Sequence, residues 1–263
     1  MSNEDNKKEL SVIMPALNEE LSISDAILST LTAFDFFKIN GEIIVINDGS
    51  SDRTQALIEE KLKEKPECIR IIKHEKAMGI GASFWEGVKQ ARGNVIVMLP
   101  GDNENDPLET LRYYRLLEHV DIVVPFIFNR EVRPFFRNML SFLYRFIINT
   151  TFLVNFNYTN GTVLYRKSIL ETLGHESSGF FFQTDILIRA VKKGYLFAEV
   201  PYKIGLRKKG ISKAISFPSL WMVIKGYLRL VKDFYFDRNN RKQVRFSNDS
   251  LTAQRRQNSS ITK

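Results

Sequence analysis

Disulfide bonds within the chain are excluded, because this chain of 263 residues contains a single cysteine, Cys68. Nothing in the sequence therefore requires an oxidising compartment. No stretch of about 18 or more uncharged apolar residues occurs, so no conventional transmembrane helix is predicted. The first ten residues, MSNEDNKKEL, have no apolar core, and we expect no signal peptide. The three histidines are scattered without the spacing of metal ligands, so no histidine-based metal site is predicted.

Positive charge is present in excess and is concentrated at one end. The net charge is +8, and residues 237–263 carry seven Lys or Arg against two Asp or Glu. We predict that this polar tail is disordered. Its charge favours an anionic surface, which is either nucleic acid or lipid headgroups.

Apolar strand patterns alternate with helix patterns through the first part of the chain. Strands are predicted at residues 10–14, 42–46, 69–73 and 95–99, with helices after residue 18 and at 54–63 and 82–91. Such alternation predicts an α/β fold with a Rossmann-like, mostly parallel sheet flanked by helices. Later strands are expected at 162–166 and 195–200, and a helix at 183–193.

Polar side chains follow the ends of the first four predicted strands, at residues 18–19, 47–48, 74–76 and 102–106. Ligands of parallel sheets bind beyond the carboxyl ends of the strands, so we expect these groups to meet in one crevice. A carboxylate there can accept hydrogen bonds from a base or a ribose, although helix capping and turn formation explain the same residues. Asp102, Glu104 and Asp106 are suited to a divalent cation, or form a solvated acidic turn.

Basic side chains recur at helical spacing in the second half. Arg133, Arg137, Ser141 and Arg145 lie four apart, and a second pattern spans 218–236. Both patterns favour helices on an anionic membrane surface, with helices packed on the sheet as the alternative. The loop Arg207 to Lys213 is suited to a diphosphate, or is a solvated basic loop.

Taken together, these motifs resemble those of family 2 glycosyltransferases, and within them the polyprenyl- (dolichyl-) phosphate sugar synthases. The similarity covers about residues 10–215. The matching segments are Pro15 to Glu19, Asn47 to Asp52, Gly79 to Ser83, Pro100 to Asp102, Asn160 to Val163, Gly179 to Asp185 and Glu199 to Pro201, followed by Arg207, Gly210, Ser212 and Lys213. Two positions depart from the family pattern, because Pro100 and Asn47 stand where the family has aspartate.

The resemblance implies a glycosyltransferase A-type fold and transfer of a hexose, with inversion, from a nucleotide sugar to a polyprenyl phosphate or a glycan precursor. It implies a divalent cation, Mg²⁺ or Mn²⁺, at Asp102 and Glu104, although Pro100 leaves open a metal-independent or non-catalytic relative. The implied nucleoside contacts are Pro15, Leu17, Glu19, Ile46 and Asp48. Gly101 would lie along the diphosphate. The residues that would contact phosphates or sugar are Arg130, Gln183, Arg207 and Lys213.

The acceptor decides whether a base is needed. A lipid phosphate is already ionised and needs none, whereas a hydroxyl acceptor needs a general base, for which Asp185 is the candidate. The catalytic residues implied are thus Asp102, Asp185 and Arg207.

The expected organisation is a catalytic domain at 10–215 after a disordered segment at 1–9, then an amphipathic helix at 216–236 and the tail at 237–263. The expected location is cytoplasmic, peripheral on the inner face of a membrane.

Two alternative functions remain open. A nucleic-acid-binding module would explain the basic tail but not the residues at the strand ends, so no nucleic-acid partner is predicted. A nucleotidyltransferase would usually carry a glycine-rich phosphate loop after the first strand, which Pro15 to Glu19 is not.

Overall fold

The computed structural model describes residues 8–174, 176–205, 217–236 and 246–261. Its centre is a seven-stranded sheet in the order β3-β2-β1-β4-β6-β5-β7, in which β6 alone runs against the others. The strands are β1 Leu10–Ala16, β2 Gly41–Asn47, β3 Ile69–Lys73, β4 Val95–Met98, β5 Ile122–Ile127, β6 Leu164–Arg166 and β7 Phe197–Tyr202. The mostly parallel α/β sheet predicted from the sequence is confirmed.

Helices cover both faces of this sheet. They are α1 Ile23–Phe37, α2 Thr54–Glu64, α3 Ile80–Gln90, α4 Pro107–Leu111, α5 Phe135–Phe152, α6 Lys167–Thr172, α7 Phe182–Lys193, α8 Phe217–Tyr235 and α9 Leu251–Ile261. Successive strand residues point to opposite faces, so Ile13 lies in one apolar cluster while Val12 and Met14 lie in the other. Both β1 and β2 are buried along their whole length, as expected for strands covered on both faces.

The predicted disorder beyond Asp237 is wrong for residues 246–261, because the carboxylate of Asp121 holds the first turn of α9. This carboxylate is fully buried and accepts hydrogen bonds from the backbone N–H of Leu251 at 2.7 Å and of Thr252 at 3.1 Å. The hydroxyl of Thr252 also donates to it. An anion at a helix N-terminus satisfies N–H groups that have no partner within the helix.

Among the described residues, no helix combines the length and the apolar character that crossing a bilayer would take.

Candidate functional site

The loops that follow β1 and β2 are hydrogen-bonded to each other. The backbone N–H of Asn18 donates to the Ser50 hydroxyl at 3.0 Å, and the Asn18 side chain accepts from the N–H of Ser51 at 2.9 Å. The N–H of Glu19 donates to Thr54 at the start of α2 over 2.8 Å. Asn18 adopts the left-handed backbone conformation, with φ at 56°, which this exchange of hydrogen bonds holds in place.

The loop after β3 is held by Asp48, which follows β2 directly. One carboxylate oxygen of Asp48 accepts from the N–H of Met78 at 2.8 Å, and the other accepts from the N–H of Gly79 at 2.9 Å. The first oxygen also lies 2.7 Å from Nδ1 of His74. Asp48 is buried, and its carboxylate forms hydrogen bonds with the loop that leads into α3.

The loop after β4 closes the same edge of the sheet. The N–H of Gly101 donates to the carbonyl of Pro15 at 2.9 Å, and the carbonyl of Gly101 accepts from the Ser22 hydroxyl at 2.9 Å. A side chain at position 101 would lie 2.7 Å from the Cδ1 atom of Ile23, so only glycine fits without displacing that side chain. The loops after the first four strands therefore meet at one edge of the sheet, as the sequence predicted.

The residues predicted to hold the nucleoside lie at this edge but differ in burial. Pro15 and Ile46 are buried in the sheet, and Leu17 and Glu19 are half-buried in the loop that follows β1. The side chain of Glu19 accepts from Ser22 at 3.2 Å.

Asn47, which replaces the family aspartate, is fully buried, and its amide oxygen accepts from the N–H of Ser50 at 3.0 Å. Asn47 is thus part of the turn itself.

The acidic segment after β4 divides into two parts. The carboxylate of Asp102 accepts from the N–H of Glu104 at 3.0 Å, which keeps these two residues together. Asp106 instead caps α4 by accepting from the N–H of Leu108 at 2.8 Å, and its own N–H donates to the Tyr202 hydroxyl at 3.0 Å. Burial raises the pKa of Tyr202 to about 12, so this hydroxyl stays protonated. Over the part of the chain that the structure describes, no three His, Cys, Asp or Glu side chains gather as a metal-binding group.

A second cluster of charge lies beyond the end of β5. Arg130, Arg133 and Arg145 line one small pocket together with Asn157 and Tyr158. The guanidinium of Arg133 stands 5.7 Å from the centre of the Tyr158 ring, and Nη1 of Arg145 donates to the carbonyl of Asn157 at 3.4 Å. Three arginines converging on one pocket are suited to a phosphate. Helix α5 begins after Pro134, so Arg133 precedes the helix on which the sequence placed it.

Glu199, from the segment Glu199 to Pro201, binds Asn157, which lines this arginine pocket. Its carboxylate accepts from the backbone N–H of Asn157 at 2.7 Å and from the Asn157 side chain at 2.9 Å. Nothing in the spacing of Glu199 and Asn157 along the sequence predicted this contact.

Helix α7 carries two of the predicted site residues, and they have different surroundings. The side chain of Gln183 is half-buried and donates to the carbonyl of Gly161 at 3.0 Å. Asp185 is buried and pairs with Arg189 one turn later, at 3.0 Å. An ion-paired, buried carboxylate is poorly placed to take a proton from an acceptor hydroxyl. The predicted phosphate contacts Arg207 and Lys213 lie outside the described residues.

Large apolar side chains are exposed along α5 and α8, the two helices that the sequence predicted to be amphipathic. Phe135 is 84% exposed, Phe146 is 58% exposed and Trp221 is 62% exposed. The apolar face, as we call it, comprises Phe135, Phe136, Met139, Leu140, Phe142, Leu143, Phe146, Ile147, Leu220, Trp221, Met222, Ile224 and Leu228. The two helices touch, because the Thr151 hydroxyl lies 2.8 Å from the Tyr227 hydroxyl. The apolar face therefore draws on two helices that touch each other, and Phe142 of this set also lines the arginine pocket.

Comparison with known proteins gives a family. Residues 11–174 match the model of glycosyl transferase family 2. The dodecaprenyl-phosphate galacturonate synthase of Rhizobium johnstonii is 28% identical over 62% of this chain and 49% of its own length. The undecaprenyl-phosphate 4-deoxy-4-formamido-L-arabinose transferase of Salmonella choleraesuis is 30% identical over 66% of this chain and 54% of its own. The chain thus spans about half the length of these curated relatives.

Solved structures give the same fold. Glucosyl-3-phosphoglycerate synthase of Mycobacterium tuberculosis, bound to uridine diphosphate, superposes with a TM-score of 0.65 at 19% identity, over 88% of this chain and 84% of its own. Another structure of that synthase holds Mn²⁺, uridine diphosphate and glucosyl-3-phosphoglycerate, with a TM-score of 0.62 at 20% identity, over 87% of this chain and 82% of its own. The glycosyltransferase A-type fold expected from the sequence is confirmed.

Proposed function

The chain belongs to glycosyl transferase family 2, and on that premise we propose that it transfers a sugar from a nucleoside diphosphate sugar to the phosphate of a polyprenyl lipid. The observation that carries this proposal is the meeting of the loops after β1, β2, β3 and β4 at one edge of the sheet. Crevices at this edge hold nucleotides in related open α/β folds. The donor would lie there, with its nucleoside against Pro15 to Glu19 and Ile46 to Asp48.

The chemistry proposed is direct displacement at the anomeric carbon with inversion, and the sugar is a hexose or a close relative. The acceptor oxygen forms the new bond to carbon as the bond from carbon to the diphosphate oxygen breaks, and the electron pair leaves with the nucleoside diphosphate. Positioning of both partners and stabilisation of the leaving diphosphate supply the rate acceleration. Gly101, Asp102, Gln183, Arg207 and Lys213 are the residues that we place along the diphosphate and sugar.

A divalent cation fits this site only in part. Asp102 and Glu104 provide carboxylates, but Pro100 contributes none and Asp106 is committed to α4. When bound, Mg²⁺ or Mn²⁺ would supply positive charge to the leaving diphosphate. Because a carboxylate is missing from the usual pair, a metal-independent member of the family that relies on Arg207 and Lys213, or one that binds the donor without turnover, is the second candidate.

The acceptor would place its phosphate in the arginine pocket. Arg130, Arg133 and Arg145 converge there, and the pocket adjoins the apolar face, which suits a molecule with a charged head and an apolar tail. Two relatives are named as enzymes that act with dodecaprenyl or undecaprenyl phosphate, which supports this class of acceptor. A lipid phosphate is ionised at neutral pH and needs no general base, so Asp185 need not serve as one.

The same face suggests where the protein works. Exposed Phe, Trp and Leu side chains beside basic ones are typical of helices that lie in the headgroup region of an anionic bilayer. We propose a peripheral position on the cytoplasmic face of a membrane, with α5 and α8 in contact with the lipid.

Calorimetric titration with a panel of nucleoside diphosphates and nucleotide sugars, each with and without Mn²⁺ or Mg²⁺, tests the proposal. Selective binding that needs the cation supports a metal-dependent transferase and identifies the donor. Selective binding without the cation supports the metal-independent candidate. Absence of binding across the whole panel contradicts the assignment of the crevice to a donor.

A further inference from the structure

His74 begins the polar segment 74–76, which the sequence placed at the end of the third strand, and it contacts the proposed donor site. Its Nδ1 lies 2.7 Å from an oxygen of Asp48, and its side chain is only 10% exposed. An ionised carboxylate accepts hydrogen bonds and donates none, so the shared proton belongs to Nδ1 of the ring. This contact fixes both the tautomer of His74 and the orientation of its ring.

The same carboxylate holds both ends of one loop. Residues 74–79 connect β3 to α3, and we call them the 74–79 loop. His74 at its start and Met78 and Gly79 at its end all donate to Asp48, over 2.7, 2.8 and 2.9 Å. The backbone N–H of His74 also donates to the carbonyl of Asn47 at 2.9 Å. The ends of the loop are therefore joined through a single side chain at the end of β2.

The middle of the loop packs directly on the backbone of Gly49. A side chain at that position would lie 2.8 Å from the backbone nitrogen of Ala77, and the φ angle of Gly49 is +79°. Backbone lies against backbone here with no side chain between. The position of the 74–79 loop therefore depends on the hydrogen bonds to Asp48 and on this close contact.

We propose that His74 is a positioning residue for the donor nucleotide. With Asp48 it holds the 74–79 loop against the end of β2, and the held loop forms a wall of the crevice against which the nucleoside packs. This inference rests on the proposed function. It also gives Asp48 a second part besides the nucleoside contact that the family resemblance implies, because its oxygens hold the loop as well.

Three substitutions distinguish the contribution of the hydrogen bond to Asp48 from that of the imidazole ring of His74. The amide nitrogen of asparagine occupies nearly the place of Nδ1, so His74→Asn keeps a donor for Asp48. The amide of glutamine reaches toward the place of Nε2 instead, and His74→Ala keeps neither. We expect His74→Ala and His74→Gln to weaken nucleotide binding about tenfold or more, the effect of losing a hydrogen bond to a charged group. His74→Asn should stay within about threefold of the unsubstituted protein.

Hydrogen exchange supplies a readout that does not need the nucleotide. The amides of Met78 and Gly79 should exchange faster in His74→Ala and His74→Gln than in His74→Asn, at similar melting temperatures. If exchange and affinity both match the unsubstituted protein, the inference is overturned. If amide exchange is faster in His74→Ala and His74→Gln but their affinity for the nucleotide is unchanged, the loop contact is real and the positioning role is overturned.

The two proposals fail in different ways. An unsubstituted protein that binds no nucleotide overturns the proposed function and the positioning role with it, while exchange at Met78 and Gly79 still decides whether His74 holds the loop. An unsubstituted protein that binds nucleotide, with all three variants binding equally well, overturns the role of His74 alone. In the supported case His74→Ala and His74→Gln raise KM for the donor and leave kcat nearly unchanged, because the loop contributes to binding before and during reaction alike.

Discussion

The guanidinium of Arg189 donates to the carboxylate of Asp233, with 2.6 Å between Nη2 and Oδ2. Arg189 lies on α7 and Asp233 on α8, so the contact joins the helix that carries Gln183 to one of the two helices of the apolar face. On its other side Arg189 pairs with buried Asp185. An ion pair therefore links α8 to the helix that carries Gln183.

Removing Arg189 should destabilise the fold strongly. Arg189→Ala removes the guanidinium that pairs with the buried carboxylate of Asp185, and breaking a buried ion pair by removing one partner typically costs about 3–5 kcal/mol of unfolding free energy. Asp233→Asn removes the more exposed partner, whose pairing typically contributes about 1 kcal/mol or less. Urea unfolding of both variants measures the difference. Equal, small losses in the two variants would show that Arg189 contributes little to holding the buried carboxylate of Asp185.

Asp185 itself is expected to be dispensable for chemistry. If the acceptor is a lipid phosphate, Asp185→Asn should transfer sugar at nearly the unsubstituted rate once the folded fraction is taken into account, since no proton has to be removed. The check is kcat with a polyprenyl phosphate acceptor, measured beside the unfolding curve. A loss of about a hundredfold or more, the range typical of a general base, would restore Asp185 to that role.

The sequence predicted the sheet well where strand and helix alternate regularly. It failed where contacts with residues far along the chain determine the local structure. β5 was missed because Pro125 interrupts its apolar run. Proline is tolerated there because, in the described chain, β6 pairs only with Ile122 and Val123, so Pro125 lies beyond that ladder. α9 was missed because a polar segment becomes ordered by contact with Asp121, more than a hundred residues earlier.

The candidate site was predictable in its outline for the same reason. Strand ends are visible in the sequence, and parallel strands bring them together, so Asn18, Asp48 and Gly101 were placed correctly. What the Asp48 carboxylate binds was not predictable, because its partner His74 is fixed by the register of β2 against β3. The arginine pocket was seen only in part, since Asn157 and Tyr158 reach it through a loop that no periodic pattern marks.

Replacing Asp102 and replacing Asp106 should have different effects in a metal titration. Asp102→Asn should weaken Mn²⁺-dependent binding of the nucleoside diphosphate, because an amide is a poorer ligand for a hard cation than a carboxylate. Asp106→Asn is the matched control, since asparagine caps helices as well as aspartate does and should leave both binding and stability nearly unchanged. Calorimetry with and without Mn²⁺ measures both variants. Equal behaviour of the two would remove Asp102 from the cation site.

The arginine pocket should be needed for the acceptor and not for the donor. Arg145→Ala should raise KM for the lipid phosphate about tenfold or more, the effect of losing a charge-assisted hydrogen bond, and leave nucleotide affinity unchanged. Arg115→Ala is a suitable control, because that side chain is 81% exposed and lies outside the pocket. Steady-state kinetics with the acceptor varied gives the answer. Unchanged KM in Arg145→Ala would place the acceptor phosphate elsewhere.

The apolar face makes the most direct prediction about location. Phe135→Ser with Phe146→Ser should reduce binding to anionic vesicles, because each buried phenylalanine contributes roughly 1.5–3 kcal/mol on transfer out of water. Phe36→Ser is the control, since Phe36 is 71% exposed on α1 and belongs to a different helix. Vesicle cosedimentation compares the three proteins at low and at high salt. If the double variant binds as well as the control and only salt releases the protein, basic side chains alone carry the attraction. If instead the double variant detaches at low salt, the phenylalanines of α5 enter the bilayer, and the arginine pocket beside Phe142 then lies at the depth of lipid phosphates.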